Sequence, residues 1–150
     1  MADARVTVDL IVRDLLHEDL AGCAWTGSPT RLRFIAAALG RRSAGVVDYL
    51  AVCGPSDLPL GIGGVDYGRS PGAGWLWQVV VHPAFRSCGI GTLLVRSAEE
   101  RIRRRGLGYA ELGVEPDNTG AQRLYARLGY QVVVEAGRRG HGVVMRRRLA

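Results

Sequence analysis

Residues 79–95 read VVVHPAFRSCGIGTLLV and join an apolar run to a segment with helical spacing. The apolar run is typical of a buried strand. Over about 90–105, Leu94, Ala98 and Ile102 recur at a spacing of four, which predicts a helix with one apolar face. This stretch therefore predicts a strand–turn–helix unit at the centre of the fold.

The turn in this unit has the composition of an anion site. Backbone N–H groups at a helix start lack intrahelical acceptors, and the helix dipole places positive charge there. Glycine lets the backbone approach a phosphate closely, and an arginine adds a cationic fork. A tight structural turn would need the same glycines, so both interpretations stay open. The candidate anion-binding residues are Arg86, Ser87, Cys88, Gly89, Ile90, Gly91 and Thr92.

The spacing of these glycines excludes two familiar phosphate-binding motifs. A GxGxxG pattern would need a third glycine where Leu94 stands. A Walker A loop needs a lysine beside the turn, and the sequence contains no lysine. The net charge of +6, which arginine alone supplies, still permits an anionic ligand.

The chain as a whole has the properties of one globular domain. Its 150 residues suit a single domain over 1–150 with a substantial core. No apolar run reaches the roughly 18 residues of a membrane span, so we expect no membrane partner. The cysteines, Cys23, Cys53 and Cys88, lack metal-type spacing and are odd in number, so we expect no metal site. A reducing, cytoplasmic location is the simplest expectation.

The remaining sequence predicts the mixed strands and helices of an α/β domain. Predicted strands cover about 6–12, 46–54, 60–68, 74–81, 109–116, 130–137 and 142–150, with a polar turn at 138–141. Predicted helices cover 14–25 with Asp14 as a cap, 30–42 ending at Gly40, 90–105, and 119–129. Thr119 and Gln122 have the spacing of a capping box in the last helix.

A second motif follows the central unit, in residues 112–130, LGVEPDNTGAQRLYARLGY. Together the two motifs resemble the acetyl-CoA-binding motifs of the GNAT-type N-acetyltransferases. The family's first pattern is arginine or glutamine, two residues, glycine, one residue, then glycine or alanine; Arg86, Gly89 and Gly91 match it. The residues that match in the second motif are Asn118, Ala121, Leu124, Tyr125, Gly129 and Tyr130.

The resemblance implies a fold and an activity. The fold would be an α/β (α+β), GNAT-like mixed and mostly antiparallel sheet of six to seven strands, flanked by about four helices. The activity would be direct transfer of an acetyl group from acetyl-CoA to a primary amine, foremost of a small molecule, without a metal. A protein N-terminal or lysine amine is the alternative acceptor, and a non-catalytic acyl-CoA-binding regulatory domain is the alternative of another class. A homodimer through the terminal strands is also implied.

The resemblance further implies roles for individual residues. The strand before the glycine turn would separate from its neighbour, so that Val79 and Val81 offer backbone groups to the thioester and the pantetheine amide. Asn118 would contact the pantetheine arm or cap the following helix. Tyr125 would protonate the departing thiolate, although packing alone also explains an aromatic residue at this spacing.

The general base is the least defined part of this predicted site. An amine is mostly protonated at neutral pH, so a base or a water chain must accept its proton. Family members that acetylate ribosomal-protein N-termini carry a glutamate at the position of Gly113, and histone-acetylating members carry one near Trp75. This chain has neither glutamate. Glu115, Glu111 and Asp66 remain, and we select Glu115, although a solvated structural carboxylate is the more common case.

Aromatic residues are candidates for the acceptor pocket. Strand alternation predicts that Trp75 and Trp77 share a face with Val79 and Val81. The candidate pocket residues, which could equally form core, are Trp25, Phe34, Tyr67, Trp75 and Trp77. His82 precedes a proline at a strand end, where we expect a turn role rather than a catalytic one.

Arginine-rich segments raise the alternative of nucleic-acid binding through phosphate contacts. Arg96, Arg103 and Arg104 are expected on a solvated helix, among the acidic Glu99 and Glu100. The sequence contains no recognition motif for nucleic acid, so we do not favour this alternative.

Overall fold

A computed structural model describes residues 9–134 and 142–149 of the chain. The start of the strand predicted at 6–12, and the turn predicted at 138–141, lie outside the described residues. The α-helices of the described part are α1 (Pro29–Gly40), α2 (Ile90–Arg104) and α3 (Thr119–Arg127). Its strands are β1 (Ile11–Asp14), β2 (Val47–Cys53), β3 (Pro59–Asp66), β4 (Ala73–Val81), β5 (Tyr109–Val114), β6 (Gln131–Val134) and β7 (Val143–Arg148). Its short 3₁₀-helices cover His17–Gly22, Ala24–Thr26, Arg42–Ala44 and Pro83–Phe85.

The strands form one sheet in the order β1-β2-β3-β4-β5-β7-β6. Among the described strands only β4 and β5 pair in parallel, and helix α2 connects them. The predicted fold class, a mixed and mostly antiparallel sheet of six to seven strands with flanking helices, is confirmed. β6 lies at one edge of the sheet, where Val132, Val133 and Val134 are about half exposed.

Two apolar clusters cover the two faces of this sheet. Alternate residues of β2 divide between them, because successive side chains of a strand point to opposite faces. Leu50 and Val52 pack in the cluster that contains the apolar side of α2. Tyr49 and Ala51 pack in the other, against the apolar side of α1. Helix α2 therefore lies on one face of the sheet and helix α1 on the other.

Glycines in β3 and β4 bring helix α2 close to the sheet. A Cβ atom at Gly74 would lie 2.5 Å from Cγ1 of Ile102. A Cβ atom at Gly61 would lie 2.7 Å from Cγ2 of Ile90. Contacts this short are not tolerated, so no larger residue fits at either position without movement of the helix. This close packing fixes the start of α2 directly over the sheet.

Strand β4 contains a β-bulge at Gln78. The register slips there, since Gly63 alone on β3 faces both Gln78 and Val79. An extra residue reverses the alternation of the side chains that follow it. Trp77 accordingly packs in the α1 cluster, whereas Val79 and Val81 pack in the α2 cluster. The prediction that the two tryptophans and the two valines share one face is therefore wrong.

Residues 14–25 do not form the predicted α-helix. Asp14 ends β1, and two 3₁₀-helices follow it. The Leu16 N–H donates to Asp19 Oδ2 at 2.7 Å, and Arg13 Nη1 lies 2.7 Å from the same oxygen. Helical periodicity here therefore reflects a chain that is held in tight turns by Asp19 rather than capped by Asp14.

The start of helix α3 also differs from its prediction. Asn118 is the N-cap, because its side-chain oxygen accepts a hydrogen bond from the Ala121 N–H at 3.1 Å. Gln122 instead donates to the carbonyl of Glu115 at 3.3 Å. The predicted capping box of Thr119 and Gln122 is therefore wrong by one residue.

No helix in the described ranges is long and apolar enough to cross a membrane. Within the same ranges, no group of three or more His, Cys, Asp or Glu side chains is placed to hold a metal ion. The cysteines are unpaired; Cys23 and Cys53 are buried, and Cys88 is exposed.

Candidate active site

The turn between β4 and α2 places glycine backbone at an open surface. Gly89 is the N-cap of α2 and has a φ of 83°, and Ser87 before it has a φ of 65°. A Cβ atom at Gly89 would meet no atom within 4 Å. One at Gly91 would come no closer than 3.7 Å to Val81. The left-handed backbone of Gly89, rather than crowding, therefore explains the glycine, and the space beside it is open to a ligand.

A cavity of about 410 Å³ opens at this turn. The predicted residues that line it are Val81, Arg86, Ser87, Gly89, Ile90, Gly91 and Thr92. Cys88 is in the turn but does not line the cavity, and its thiol lies 3.7 Å from the Arg86 carbonyl. Helix α3 adds Gly120, Leu124 and Arg127, and sequence reasoning missed Arg127. The spacing of 120, 124 and 127 on one helical face was the available signal.

The charges of this cavity fit a phosphate-bearing ligand. The first N–H groups of α2 have no intrahelical acceptor, and the positive end of its dipole lies at the cavity. Arg86 and Arg127 line the same cavity and provide guanidinium donors. The open space at Gly89 lets phosphate oxygens reach the backbone.

Beside this cavity, β4 and β5 separate. Their parallel pairing joins Ala73 to Leu76 with Tyr109 to Leu112. β4 continues to Val81 and β5 to Val114, but the two strands pair no further. A cavity of about 320 Å³ occupies the resulting gap. The predicted separation is present, and it leaves backbone groups of β4 without partners on β5.

Four predicted site residues line this gap together, namely Val79, Glu115, Asn118 and Tyr125. Two further polar residues line it that sequence reasoning missed, Arg31 of α1 and Gln78 of the bulge. A signal for Gln78 was present, because it is the only polar side chain in the run WLWQVVV. Nothing in the sequence indicated Arg31, because it reaches the gap only through the packing of α1.

The environment of Tyr125 favours its protonated form. Burial raises the pKa of the Tyr125 hydroxyl above its ordinary value of 10.0. Its ring packs edge-on against Tyr130, with 5.8 Å between the ring centroids. The hydroxyl therefore keeps its proton at neutral pH and is available as a proton donor.

Tyr130 is in turn held by a buried ion cluster around Glu99. The Glu99 side chain is 0% exposed, and its Oε1 lies 2.9 Å from Arg96 Nη1 and 2.6 Å from Arg147 Nη1. The Tyr130 hydroxyl donates to Glu99 Oε2 at 2.8 Å. The prediction of a solvated Glu99 is wrong, because tertiary packing brings β7 and the end of α3 over this side of α2.

The three candidate bases have different surroundings. Glu111 is 4% exposed, and Arg146 Nε donates to its Oε1 at 3.0 Å, so its charge is already neutralised within the sheet. Asp66 ends β3 and lines a different cavity. Glu115 is exposed and lines the gap that also contains Tyr125. Of the three, Glu115 is the one that lines the gap.

The aromatic residues predicted for an acceptor pocket are only partly brought together. Trp75 and Trp77 line a cavity of about 300 Å³ with Gln78 and Glu115. Phe34 lines a neighbouring cavity that shares Trp77 and Gln78. Both cavities adjoin the gap between β4 and β5 through the bulge, because each shares Trp77 and Gln78 with it.

Trp25 and Tyr67 lie outside these cavities. The Trp25 ring packs on His82 with 5.3 Å between centroids. His82 Nδ1 accepts a hydrogen bond from the Ala84 N–H at 3.1 Å, which agrees with the predicted turn role. The Arg105 guanidinium carbon lies 3.6 Å from the centre of the Tyr67 ring, so that ring is part of a cation–π pair.

The fold and the paired cavities agree with what comparison of the sequence shows. Residues 14–130 match the model of the acetyltransferase (GNAT) family. The chain belongs to this family. The expected membership, which rested on the glycine turn and the second motif, is confirmed.

Two relatives are similar over part of the chain. A mycothiol acetyltransferase of Rhodococcus erythropolis is 40% identical over 63 residues, which cover 42% of this chain and 21% of that protein. An L-2,4-diaminobutyric acid acetyltransferase of Streptomyces coelicolor is 39% identical over 57 residues, which cover 37% of this chain and 34% of that protein. The chain thus spans about a fifth to a third of the length of the curated relatives it matches.

Solved structures share the fold. The crystal structure of PaiA N-acetyltransferase from Thermoplasma acidophilum, in complex with coenzyme A, matches with a TM-score of 0.74 and 17% identity. The match covers 93% of this chain and 99% of that chain. At this identity the likeness concerns the fold, and it extends over nearly the whole of both chains.

Proposed function

We propose that the chain transfers the acetyl group of acetyl-CoA to a primary amine of a small molecule, by direct transfer in a ternary complex. The observation that carries this proposal is the meeting of two cavities along β4. Val81 lines the cavity at the turn of Gly89 and Gly91, called here the glycine cavity, and Val79 lines the gap beside β5. Family membership and the coenzyme A complex of the Thermoplasma protein support acetyl-CoA as the donor. The relatives named for mycothiol and L-2,4-diaminobutyric acid support a small-molecule acceptor over a protein.

In this proposal the glycine cavity binds the phosphates of coenzyme A. The N–H groups of Ile90, Gly91 and Thr92 would donate to the pyrophosphate, at the positive end of the α2 dipole. Arg86 and Arg127 would add charge-assisted hydrogen bonds from the cavity wall.

The gap between β4 and β5 would hold the pantetheine arm. Backbone groups around Val79 are not paired with β5, so they would form hydrogen bonds with the pantetheine arm instead. The Asn118 oxygen is engaged as the helix cap, which leaves its amide N–H groups for the ligand. Capping and ligand contact are therefore compatible roles for this residue.

The chemistry requires two proton transfers that residues of the gap can perform. Bound acetyl-CoA supplies a thioester, at which a C–N bond to the amine forms while the C–S bond breaks. Tyr125 holds a proton at its hydroxyl and donates it to the departing sulfur. Glu115 accepts the proton that the amine loses, directly or through a water molecule.

A reducing, cytoplasmic location belongs to the same proposal. Cys23 and Cys53 are buried thiols that do not pair, and burial raises the pKa of Cys23 to about 11. The exposed Cys88 lies in the glycine turn, where an oxidised or conjugated side chain would disturb the proposed phosphate site. A reducing setting would preserve that turn.

The test is calorimetric titration of acetyl-CoA into the wild type and into Gly89→Glu. A carboxylate in the glycine cavity should repel the phosphates of acetyl-CoA and weaken its binding by at least about 100-fold. Gly106→Glu is the matched control, since Gly106 follows the other end of α2, has a φ of 76° and would meet no atom within 4 Å of a Cβ. Equal binding by both variants, or no binding by a folded wild type, would overturn the proposal.

An amine screen separates an enzyme from a binding domain. If acetyl-CoA binds and release of free coenzyme A thiol accelerates with small amines, the chain is an acetyltransferase of small molecules. If only peptide α-amines or lysine side chains accelerate it, the acceptor is a protein. Binding without acceleration by any amine would favour the non-catalytic alternative.

A further inference from the structure

Gln78 combines a strained backbone with a central place in the site. Its φ of 54° is in the left-handed region, which is unfavourable for a residue other than glycine. The other non-glycine residues with positive φ in the described ranges are Asp57 and Ser87, and neither lies inside a strand. Gln78 lines the gap between β4 and β5 and the two cavities that adjoin it. The bulge thus directs one polar residue of an apolar strand into the site.

A hydrogen bond from Tyr49 sets the orientation of the Gln78 amide. The Tyr49 hydroxyl donates to Gln78 Oε1 at 2.9 Å, and Tyr49 is 0% exposed. Burial also raises the pKa of Tyr49, so its hydroxyl remains a donor. Since the amide oxygen accepts from Tyr49, this bond does not use the two N–H groups of the amide, which remain as donors.

Arg31 stands at the same cavity and is also held in place. Its Nη1 donates to the Thr26 carbonyl at 3.0 Å, and Thr26 is itself buried. The Arg31 backbone N–H donates to Ser28 at the start of α1, which fixes the first turn of the helix. A guanidinium that is anchored through one nitrogen keeps further donors in a planar fork that matches a carboxylate.

Two carboxylates near Arg31 and Gln78 have different surroundings. Glu111 is neutralised by Arg146, and Glu115 lines the gap beside Tyr125. The cavity thus offers donors from Arg31 and Gln78 together with one carboxylate, Glu115. A ligand that satisfies both ends must carry a cationic amine and an anionic or strongly accepting group.

We propose that Arg31 and Gln78 bind a carboxylate of the acceptor, so that the substrate is a small amine that carries a carboxylate group. This inference rests on the proposed acetyltransferase function and specifies its substrate class. The carboxylate is held by the Arg31 fork and the Gln78 amide, and the amine is presented on the side of Tyr125 and Glu115. Gln78 and Arg31 are specificity-determining residues, which act on acceptor binding rather than on acetyl-CoA.

The first experiment compares matched acceptors with the full chain at saturating acetyl-CoA. Each set contains an amino acid, its amide and its decarboxylated amine, such as L-lysine, L-lysinamide and 1,5-diaminopentane, or 4-aminobutyrate, 4-aminobutanamide and propylamine. Across the sets, kcat/KM for the carboxylate member should exceed that of its partners by at least about 10-fold, as expected for a charge-assisted contact. Equal or better use of the amides or decarboxylated amines would overturn the inference, as would turnover restricted to peptide α-amines.

The second experiment changes the two residues. Arg31→Gln and Gln78→Glu should raise KM for the carboxylate acceptor at least about 10-fold, with kcat and the Kd for acetyl-CoA each changed by a smaller factor. Gln78→Glu should also shift preference toward the decarboxylated amine, because its carboxylate would attract the amine and repel the acid. Arg33→Gln is the matched control, since exposed Arg33 lies on the same helix and its Nη2 donates to the Thr30 hydroxyl at 3.4 Å. Equal KM values for Arg31→Gln and Arg33→Gln would overturn the inference.

The two proposals fail in different ways. Loss of the acetyltransferase proposal would appear as a folded wild type that does not bind acetyl-CoA. Loss of the present inference alone would appear as an enzyme that binds acetyl-CoA and acetylates amines without regard to a carboxylate. A chain that binds acetyl-CoA but acetylates no member of any set would count against both.

Discussion

The two halves of β4 have similar composition and opposite surroundings. Its first half, up to Leu76, is buried and pairs with β3 on one side and β5 on the other. Its second half, from Trp77 to Val81, is half-buried and pairs only with β3. The difference arises from the bulge at Gln78 and from the end of the β5 pairing. It teaches that a largely apolar strand becomes the wall of a cavity where the pairing with its neighbour ends.

The largest effect is expected beside the second half of β4, from Tyr125→Phe in the gap. Loss of the donated proton should lower kcat about 100-fold, the usual contribution of a general acid, with acetyl-CoA affinity unchanged. Because burial raises the pKa of Tyr125, the wild-type hydroxyl stays protonated where a free tyrosine ionises, so its alkaline loss of kcat should lie above about pH 10. Steady-state kinetics across pH would check both expectations.

The matched control for Tyr125 is Tyr109→Phe, at the start of β5 and away from the gap. That change should leave kcat within about twofold, because it removes a hydroxyl outside the site. Equal kcat values for the two variants would assign Tyr125 to packing alone.

The second largest effect is expected in the first half of β4, which pairs on both sides, from Gly74→Ala. The added Cβ would lie 2.5 Å from Ile102 Cγ1, so α2 must shift away from the sheet. We expect the free energy of unfolding to fall by about 2 kcal/mol in urea titrations, as for other overpacked cores. Gly108→Ala should be close to neutral, because a Cβ there would meet no atom within 4 Å. An unchanged midpoint for Gly74→Ala would show that α2 is not packed this closely.

A smaller effect is expected from the ion cluster around Glu99, which holds the end of α3 against α2. Glu99→Gln removes the charge that faces Arg96 and Arg147, and should lower the free energy of unfolding by about 1–2 kcal/mol. The partly exposed arginines can regain water, which keeps the cost below that of a fully buried pair. The neighbouring Glu100→Gln should cost less than about 0.5 kcal/mol, since that side chain is 51% exposed. Similar values for both variants would refute the ion cluster as the attachment of α3.

The smallest effect separates two roles of one residue. Asn118→Ala and Ser28→Ala each remove an N-cap hydrogen bond and should each cost about 1 kcal/mol of stability by thermal unfolding. Only Asn118 lines the gap, so only its variant should also weaken acetyl-CoA binding, by about fivefold for one lost hydrogen bond. Unchanged affinity in Asn118→Ala would leave it as a cap alone.

The elements that were predictable from the sequence are those with strong local signals. Helix α2, with its apolar face at a spacing of four and Gly106 after it, forms over nearly the predicted range. The segment 14–25 had helical spacing but folds as 3₁₀-helices, because the ion pair of Asp19 with Arg13 outweighs a weak local preference. Alternation failed in β4 because one inserted residue at Gln78 reverses every side chain after it.

The candidate site was predictable where its function depends on the backbone. Gly89 has a left-handed backbone that favours glycine, and such a local requirement is visible in the sequence. Arg31 was not predicted, because it reaches its cavity through the packing of α1 and carries no local pattern. Arg127 was missed although it shares a helical face with Gly120 and Leu124.

The sequence by itself determined the strand–turn–helix unit, the second motif and the family, because glycine geometry and hydrophobic periodicity act over a few residues. Only the tertiary structure decided that Glu99 is buried, that Glu111 is neutralised, and that Gln78 and Arg31 meet at one cavity. Burial and pairing depend on which distant segments come together, and long-range contact is not encoded in any short stretch of residues.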